Sequence, residues 1–250
     1  MILTIASFES RSLARSPLTW LLAAVIALVF AYLFLQALEA YLDAQPKLAL
    51  QDHPSGLGGF LAVRYLAPLV MLFALVAPLL AMRSFSDEFR HQTLALWLSS
   101  PVSISSLVIG KFIGVVSVIF ALVLMAALFA ASMRFFTPLD LGVLSAATLG
   151  LTLAACMFSA IGMFFSSLTK HAIFAVAASV LLLVLLWLVG SAGNSSAIGS
   201  VLNVFSIPAH LNGFFQGYIS SADVLYFVLI TLLFVALTIV RLDALRHTGR

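Results

Sequence analysis

The stretch that decides the fold is Arg83–Phe112, RSFSDEFRHQTLALWLSSPVSISSLVIGKF, which separates two strongly apolar segments. Its first half places apolar and polar side chains on opposite helical faces, the pattern of a short helix lying along a membrane or partner surface. The two faces are Phe85, Phe89 and Leu96 against Ser86, Asp87, Arg90 and His91. Ser84 with Asp87 three residues later predicts a capping-box start. We therefore predict a helix, a break at Ser99–Ser100, and a second helix with Pro101 at its first position that enters the membrane.

The composition determines the class of protein. Of 250 residues, 63% are hydrophobic and 8% are charged, and the mean hydropathy is +1.19. A soluble globular domain is about half apolar and about a quarter charged. The composition therefore predicts an all-α membrane protein. The single cysteine, Cys156, leaves no partner for a disulfide or for a thiolate metal site.

Six apolar segments reach the roughly 20 residues that a membrane-spanning helix needs. The predicted spans are Pro17–Leu38, Phe60–Met82, Ser106–Met133, Leu141–Leu168, Ala172–Val189 and Val224–Val240. With both termini in the cytoplasm, nine basic residues lie inside and three outside, as the positive-inside rule requires. The inside set is Arg11, Arg15, Arg83, Arg90, Lys111, Lys170, Arg241, Arg246 and Arg250, and the outside set is Lys47, Arg64 and Arg134. The predicted topology is therefore N-in/C-in.

The polar and apolar patterns divide the chain into regions. Residues 1–16 are predicted to form an N-terminal interfacial (elbow) helix, and residues 17–250 a six-helix transmembrane domain. A cleaved signal peptide is the competing interpretation of the N-terminus. It is disfavoured because the apolar run is longer than a typical signal-peptide core and no small-residue cleavage site ends it. Within the domain we distinguish a cytoplasmic region, 83–105, and an outer interfacial segment, 190–223.

Several local expectations follow from single positions. Glu39–Gly59 is expected to be a short external loop, and Pro68 and Pro78 are expected to kink the second span. Lys111 is expected at the membrane edge, with its ammonium reaching the headgroups. Small residues of the fourth span are expected to let helices pack closely within the chain, with a dimer face as the alternative. These residues are Gly150, Ala154, Ala155, Ser159 and Gly162.

The outer interfacial segment begins with GSAGNSSAIGS at residues 190–200, which predicts a flexible linker. Residues 201–223 are too apolar for an ordinary loop and are interrupted by proline and glycine. We expect short helices embedded in the outer membrane interface, with aromatic anchors. The candidate residues are Phe205, His210, Phe214, Phe215 and Tyr218.

Several kinds of chemistry are absent from the sequence. It has no GxxxxGK[ST] phosphate loop, and no charged residue or histidine lies near the middle of a predicted span, where ion-coupled transporters need one. Ser191 has no intramembrane histidine to activate it. The five histidines lack ligand spacing, so no metal site is predicted; they are His53, His91, His171, His210 and His247. We therefore expect a non-catalytic subunit without a cofactor, driven by a partner.

Several motifs point to a family. The chain resembles, over nearly its whole length, the permease subunits of ABC-2 type exporters, which have a type V exporter-like transmembrane domain. It is most similar to the gliding-motility-type permeases, and more distantly to the permease that serves nitrous-oxide-reductase maturation. The matching residues are Phe8, Glu9, Ser16–Trp20, Met82–Phe85, Glu88, Thr93, Leu96, Leu98, Pro101, Val102, Gly110–Phe112, Phe164–Thr169, His210, Gly217, Asp223, Tyr226 and Phe227. Gln92 departs from the pattern, because the family usually has glycine there, and this predicts a less sharply bent helix.

The resemblance implies a partner. In this family the cytoplasmic coupling helix and the N-terminal helix dock on a separate ATPase subunit, present in two copies, which binds ATP and Mg²⁺. Here the implied coupling interface is Phe85, Ser86, Asp87, Glu88, Phe89, Arg90, His91 and Thr93. The expected setting is a bacterial inner membrane, with this chain or a related permease as the second half of a dimer, membrane lipid around it, and no nucleic acid.

Two alternatives to transport stay open. In the first, the chain relays ATPase motion to an accessory protein on the outer side through residues 201–223 without moving a substrate. In the second, which the lack of buried polar groups disfavours, it is a scaffold or an intramembrane enzyme. The spans are rich in Phe, Leu, Val and Ala, which is compatible with a lipidic cargo and equally with an ordinary lipid-facing surface.

Overall fold

The architecture is a bundle of helices. The computed structural model describes residues 2–48, 56–90, 92, 103–137, 139–189 and 204–248. We label its α-helices α1 (Ile2–Arg15), α2 (Pro17–Leu48), α3 (Leu57–Leu61), α4 (Ala67–Ala81), α5 (Arg83–Arg90), α6 (Ile104–Ala131), α7 (Leu141–Ser166), α8 (Ala172–Val189), α9 (Ile207–Phe215) and α10 (Ser221–Thr248). A π-helical turn, Ala62–Leu66, joins α3 to α4, and a 3₁₀ turn, Ser132–Phe135, follows α6. Six helical stretches among the described residues are long and apolar enough to cross a membrane, which confirms the predicted fold class.

Helix α7 lies at the centre of the bundle. It packs against α4, α6, α8, α9 and α10 and also contacts α5. Its glycines permit this close approach: a Cβ added at Gly150 would lie 2.7 Å from the Cβ of Phe214 in α9, and one at Gly162 would lie 2.8 Å from the Cα of Pro78 in α4. The small residues of the fourth span therefore serve packing within the chain, as expected.

Helix α1 packs across the beginning of α6. A Cβ at Gly110 would lie 2.8 Å from the Cβ of Ile5, and one at Gly114 would lie 2.6 Å from the Cβ of Glu9. The corner between α1 and α2 is closed by Trp20, whose indole N–H donates to the carbonyl of Ala14 at 2.6 Å. The predicted N-terminal helix is thus present, and it is seated on the bundle through α6.

Two helices run further than predicted. Helix α2 continues to Leu48, so the expected loop Glu39–Gly59 is wrong for its first ten residues. The cause is local: no glycine or proline interrupts the chain before Pro46, and the ring of Tyr41 packs edge-on against Phe60 at 5.4 Å. Helix α10 likewise runs past the predicted end of the sixth span to Thr248.

The second span contains an irregular turn before its first proline. Pro68 has no N–H to donate to the carbonyl of Arg64 four residues earlier, and the chain there adopts the wider π-helical turn, Ala62–Leu66. This turn directs the hydroxyl of Tyr65 to the carbonyl of Ala126 in α6, at 3.2 Å. Pro78 lies inside α4.

The boundaries around α5 and α6 differ in detail from the prediction. The hydroxyl of Ser84 is buried without a hydrogen-bond partner among the described residues, so it does not cap α5. Helix α6 begins at Ile104, three residues after Pro101, because Ser103 has extended backbone (φ −69°, ψ 138°) and its hydroxyl accepts from the amide of Ser106. The predicted break at Ser99–Ser100 lies outside the described residues.

Gln92 takes the conformation that glycine favours. Its φ is +57°, and it is the one non-glycine residue in the described part of the chain with positive φ. Gln92 thus adopts the left-handed conformation although it is not glycine. The expectation of a less sharply bent helix stays a prediction, because residues 91 and 93–100 lie outside the described residues. An L-residue in this region is strained by about 1 kcal/mol relative to glycine.

We predict that Gln92→Gly raises the free energy of unfolding by about 1 kcal/mol, because it removes this strain. Gln92→Ala is the control, since alanine keeps the Cβ and should give no gain. Unfolding of the detergent-solubilised protein by denaturant measures both. A loss of stability in the glycine variant, or an equal gain in the alanine variant, would contradict the strained bend.

Candidate functional site: an ionic cluster joining three helices

Helix α5 is capped by a residue of α7. Ser166, the last residue of α7, accepts hydrogen bonds at its hydroxyl oxygen from the amides of Phe85 (3.1 Å) and Ser86 (3.0 Å). The same hydroxyl donates to the carbonyl of Met82 at 2.6 Å, and the Ser86 hydroxyl donates back to the Ser166 carbonyl at 3.1 Å. A side chain about 80 residues away in sequence therefore satisfies the first amides of α5, in place of the predicted Ser84 cap.

The apolar face of α5 is seated on the bundle. Phe85 is fully buried, and Phe89 is half-buried against the core. The ring of Phe85 lies under the ammonium of Lys111, whose Nζ is 5.5 Å from the ring centroid, within the range of a cation–π contact. Phe85 and Phe89, which the resemblance placed in the coupling interface, therefore face the bundle and form the apolar side of α5.

Lys111 joins α5 to α1. Its Nζ lies 3.0 Å from Oε1 of Glu88 in α5 and 3.2 Å from Oε2 of Glu9 in α1. The three side chains are only 7%, 13% and 14% exposed for Lys111, Glu88 and Glu9. We call Glu9, Glu88 and Lys111 the ionic cluster. The expectation that Lys111 reaches the headgroups is wrong, because Gly114 lets α1 approach α6 closely enough to bring Glu9 to the ammonium.

The charges of the ionic cluster do not balance. Two carboxylates share one ammonium, and Oε2 of Glu88 is buried without a hydrogen-bond partner among the described residues. Buried charges are costly to desolvate, and loss of one partner leaves the other uncompensated. The Lys111 ammonium therefore holds α1 and α5 together, and each carboxylate would be an uncompensated buried charge without it.

A polar cavity of about 380 Å³ borders the ionic cluster. Its walls come from α1, α2, α4, α5 and α6, and they carry further hydroxyl and charged groups. These include Ser12, Ser16, Thr19, Arg83 and Asp87. A polar cavity thus lies at the end of the bundle where α1 and α5 meet. No group of three or more histidine, cysteine or carboxylate side chains suited to a metal occurs in the described part of the chain.

The other predicted coupling residues are placed differently from one another. Asp87 is half-buried and Arg90 is exposed, so these side chains offer an accessible charged edge of α5. Glu88 is turned towards Lys111 and so lies on the inner side. His91 and Thr93 lie outside the described residues.

At the opposite end of the bundle, the predicted aromatic anchors divide into two kinds. Phe214 and Phe215 of α9 are buried, so these two are core residues and not interface anchors. The reason is that Phe214 fits against Gly150 of α7. Phe205 and Tyr218 are exposed, at 53% and 72%, and their role as interface anchors stays a prediction.

His210 is part of a hydrogen-bonded group at this end. Its Nδ1 lies 2.7 Å from Oδ1 of Asp223, and its Nε2 lies 3.0 Å from the carbonyl oxygen of Val204. Its ring stacks on Tyr226 with a centroid separation of 4.0 Å, and the Tyr226 hydroxyl donates to the carbonyl of Phe205 at 2.9 Å. His210, Asp223 and Tyr226 were predicted only as separate motif positions. The sequence signal for the pairing of His210 with Asp223 is an acidic residue at the start of a helix that follows a histidine-bearing segment.

Comparison with protein families identifies this chain. A family model described as "ABC-2 family transporter protein" matches residues 3–244, which include nearly every helix described above. The search of curated proteins found no match.

We predict that Ser166→Ala lowers the free energy of unfolding by about 2 kcal/mol, because two buried amides lose their acceptor. Ser167→Ala is the matched control: Ser167 is equally buried, but its hydroxyl only donates to the carbonyl of Phe164 in the preceding turn. Denaturant unfolding gives the stability, and hydrogen exchange of residues 83–90 gives the local effect. Equal losses in both variants would show that the Ser166 hydroxyl does not hold α5.

We predict that Lys111→Met destabilises the protein by about 3 kcal/mol, because two carboxylates lose their shared cation. Adding Glu9→Gln and Glu88→Gln should recover most of that loss, since the remaining groups are neutral. Lys170→Met, at an exposed lysine, is the control and should change little. If the triple variant is no more stable than Lys111→Met alone, the three side chains are not coupled.

Proposed function

The chain belongs to the ABC-2 transporter family and is a membrane permease subunit of an ABC transporter, and from this premise we propose that α1 and α5 together receive the motion of a separate ATPase subunit. That subunit binds ATP and Mg²⁺, and two copies serve one transporter. The ATPase contacts the accessible edge of α5 at Asp87 and Arg90. The permease itself performs no catalysis.

The ionic cluster is the observation that carries this proposal. Helix α5 is only eight residues long, yet it is bound to α7 through Ser166 and to α1 and α6 through Lys111. A displacement of α5 is therefore passed to three other helices, two of which are long enough to span the membrane. A short helix with such connections is suited to transmitting force into the bundle.

The charge distribution supports a cytoplasmic position for the end that carries α1 and α5. With this orientation nine basic residues lie on the cytoplasmic side and three on the other, in agreement with the positive-inside rule. The same assignment makes α1 the elbow helix and α5 the coupling helix. It also favours a bacterial inner membrane as the location.

A second permease, identical or related, is proposed to pair through the face that α4 and α8 share. Helix α8 is strongly apolar, and few of its residues are buried within this chain. Beside it, Met71, Leu75 and Trp187 line an apolar cavity of about 290 Å³. A second copy would cover this face, and membrane lipid is the alternative occupant.

A specific observation also favours the second candidate function, mechanical transmission to an outer-side protein. Helix α7 is held to α5 by Ser166 at one end, and in its first half it packs on α9 where Gly150 meets Phe214. One helix therefore links the proposed ATPase side to the outer interfacial segment. The finer assignment to the gliding-motility type rests on the sequence motifs, and it fits either function.

The direct test of the assignment is to purify the chain gently from its native membranes and identify the co-purifying proteins by mass spectrometry. We expect a stoichiometric subunit that carries a phosphate-loop motif. An additional outer-side protein would favour mechanical transmission. Recovery of the chain alone, under conditions that preserve other membrane complexes, would contradict the proposal.

We predict that the double variant Asp87→Lys with Arg90→Glu weakens binding to the ATPase at least about tenfold, because it reverses the accessible charges of α5. Its stability should change little, since neither side chain belongs to the ionic cluster. Arg64→Glu, at an exposed arginine in the π-helical turn, is the control. Unchanged binding and ATPase stimulation in the double variant would exclude this edge of α5 as the contact.

A further inference from the structure

The hydrogen bonds of His210 fix the number of protons that it shares with Asp223. Nδ1 faces a carboxylate oxygen of Asp223 at 2.7 Å, and Nε2 faces the carbonyl oxygen of Val204 at 3.0 Å. A carbonyl oxygen can only accept, so Nε2 must carry a hydrogen. A second hydrogen must then lie between Nδ1 and Asp223, whichever of the two atoms holds it.

Both hydrogen bonds of His210 are therefore formed only when His210 and Asp223 together carry no net charge. A neutral imidazole beside an ionised carboxylate has one hydrogen too few: either Nδ1 or Nε2 would turn a lone pair towards an acceptor. Removal of this one hydrogen would therefore break one of the two hydrogen bonds of His210. The His210 and Asp223 side chains are 19% and 20% exposed, which leaves them in reach of solvent.

Tyr226 adds two further contacts around this pair. The imidazole stacks on Tyr226 at 4.0 Å with an angle of 17° between the rings, and Tyr226 donates to the carbonyl of Phe205 at 2.9 Å. The hydrogen bonds of His210 and Tyr226 thus fasten residues 204–210 to the first turns of α10. We call this group of Val204, Phe205, His210, Asp223 and Tyr226 the outer clasp.

The surroundings of the outer clasp are otherwise apolar. Among the described residues, the ionisable groups that face His210 are Asp223 and Tyr226, both from α10. Helix α7 meets this segment through Val143 and Gly150, and α8 meets it at an apolar wall that includes Trp187 and Ile207. From the π-helical turn, Tyr65 is directed to α6, and the exposed Arg64 forms no ion pair with Asp223.

We propose that the outer clasp is a proton-sensitive latch that holds the segment containing α9 against α10 when His210 and Asp223 share one proton and loosens when that proton leaves. The stabilisation is present at low pH and is lost as the pH rises, because the proton-bound form is the one that completes both hydrogen bonds. In the proposed orientation this latch faces the outer side, where it would make the outer interfacial segment responsive to external pH. The latch itself does not depend on the ATPase.

Asp223→Asn separates the effect of the shared proton from the effect of side-chain packing in the outer clasp. In Asp223→Asn the amide can donate to Nδ1 of a neutral His210, whose Nε2–H still donates to Val204. The latch then closes without the extra proton. In His210→Gln the ring, its stacking and the second hydrogen bond are all lost. His171→Gln, at an exposed histidine between α7 and α8, is the matched control.

The experiment is hydrogen exchange of the full-length protein in lipid nanodiscs between about pH 6 and about pH 9, followed in peptides covering residues 204–216 and corrected for the intrinsic rate at each pH. At low pH the wild-type protein and His171→Gln should be protected about tenfold or more above His210→Gln, as expected for a lost charge-assisted hydrogen bond. That advantage should fall towards one as the pH rises. Asp223→Asn should keep its protection across the range.

Two results would overturn the proposal. The first is a wild-type advantage over His210→Gln that stays constant with pH, which would make the outer clasp a fixed structural contact. The second is an Asp223→Asn profile that falls with pH as the wild-type profile does, which would place the titrating group elsewhere. If Asp223→Asn fails to fold, the comparison of the wild-type protein, His171→Gln and His210→Gln still decides the first point.

Discussion

The sharing of one ammonium, Lys111, between Glu9 of α1 and Glu88 of α5 is the interaction on which the α5 end of the bundle depends. Without it, α5 would still be held by its Ser166 cap, by the seating of Phe85 and Phe89 and by its contacts with α4 and α8, but it would lose its ion-pair connection to α1. Gly110 and Gly114 let α1 come close enough to α6 for Glu9 to form its ion pair with Lys111. A buried cluster of this kind contributes little net stability, and its value is that it makes two short helices and a membrane span behave as one body.

Helix α7 extends this connection through the bundle. Its last residue caps α5, its glycines receive α4 and α9, and α10 packs along it. The outer clasp then joins the chain around α9 to α10. Force applied at α5 therefore has a continuous packed path to the other end of the molecule, and that path serves transport and mechanical transmission equally. In the proposed orientation, a protein bound at the α9 end would distinguish mechanical transmission from transport.

Hydropathy and period were sufficient to predict the spans, because lipid imposes a length and an apolar composition on every crossing segment. They also predicted α5, whose polar and apolar faces are encoded in eight consecutive residues. The connections of the site were not predictable in this way. Glu9 and Lys111 are 102 residues apart in the sequence, and Ser166 and Ser86 are 80 residues apart. No local sequence pattern indicates that the two members of either pair are in contact. The motifs of the family resemblance contained Glu9, Lys111 and Ser166 but not Ser86, and a motif does not say which of its members touch. The positive φ of Gln92 was likewise not predictable from its residue type.

The central claim, that α1 and α5 move as one body, is tested most directly by distance measurements between spin labels in the assembled transporter, with Cys156 replaced by alanine. One label pair joins exposed positions of the two helices, Ser12 and Arg83, and the other joins Arg83 to Phe135 in the 3₁₀ turn after α6. Between the nucleotide-free and the ATP-trapped states, we predict an unchanged Ser12–Arg83 distance and a changed Arg83–Phe135 distance. A change in the Ser12–Arg83 distance as large as that in the second pair would mean that the ionic cluster opens during the cycle, and it would contradict movement of α1 and α5 as one body.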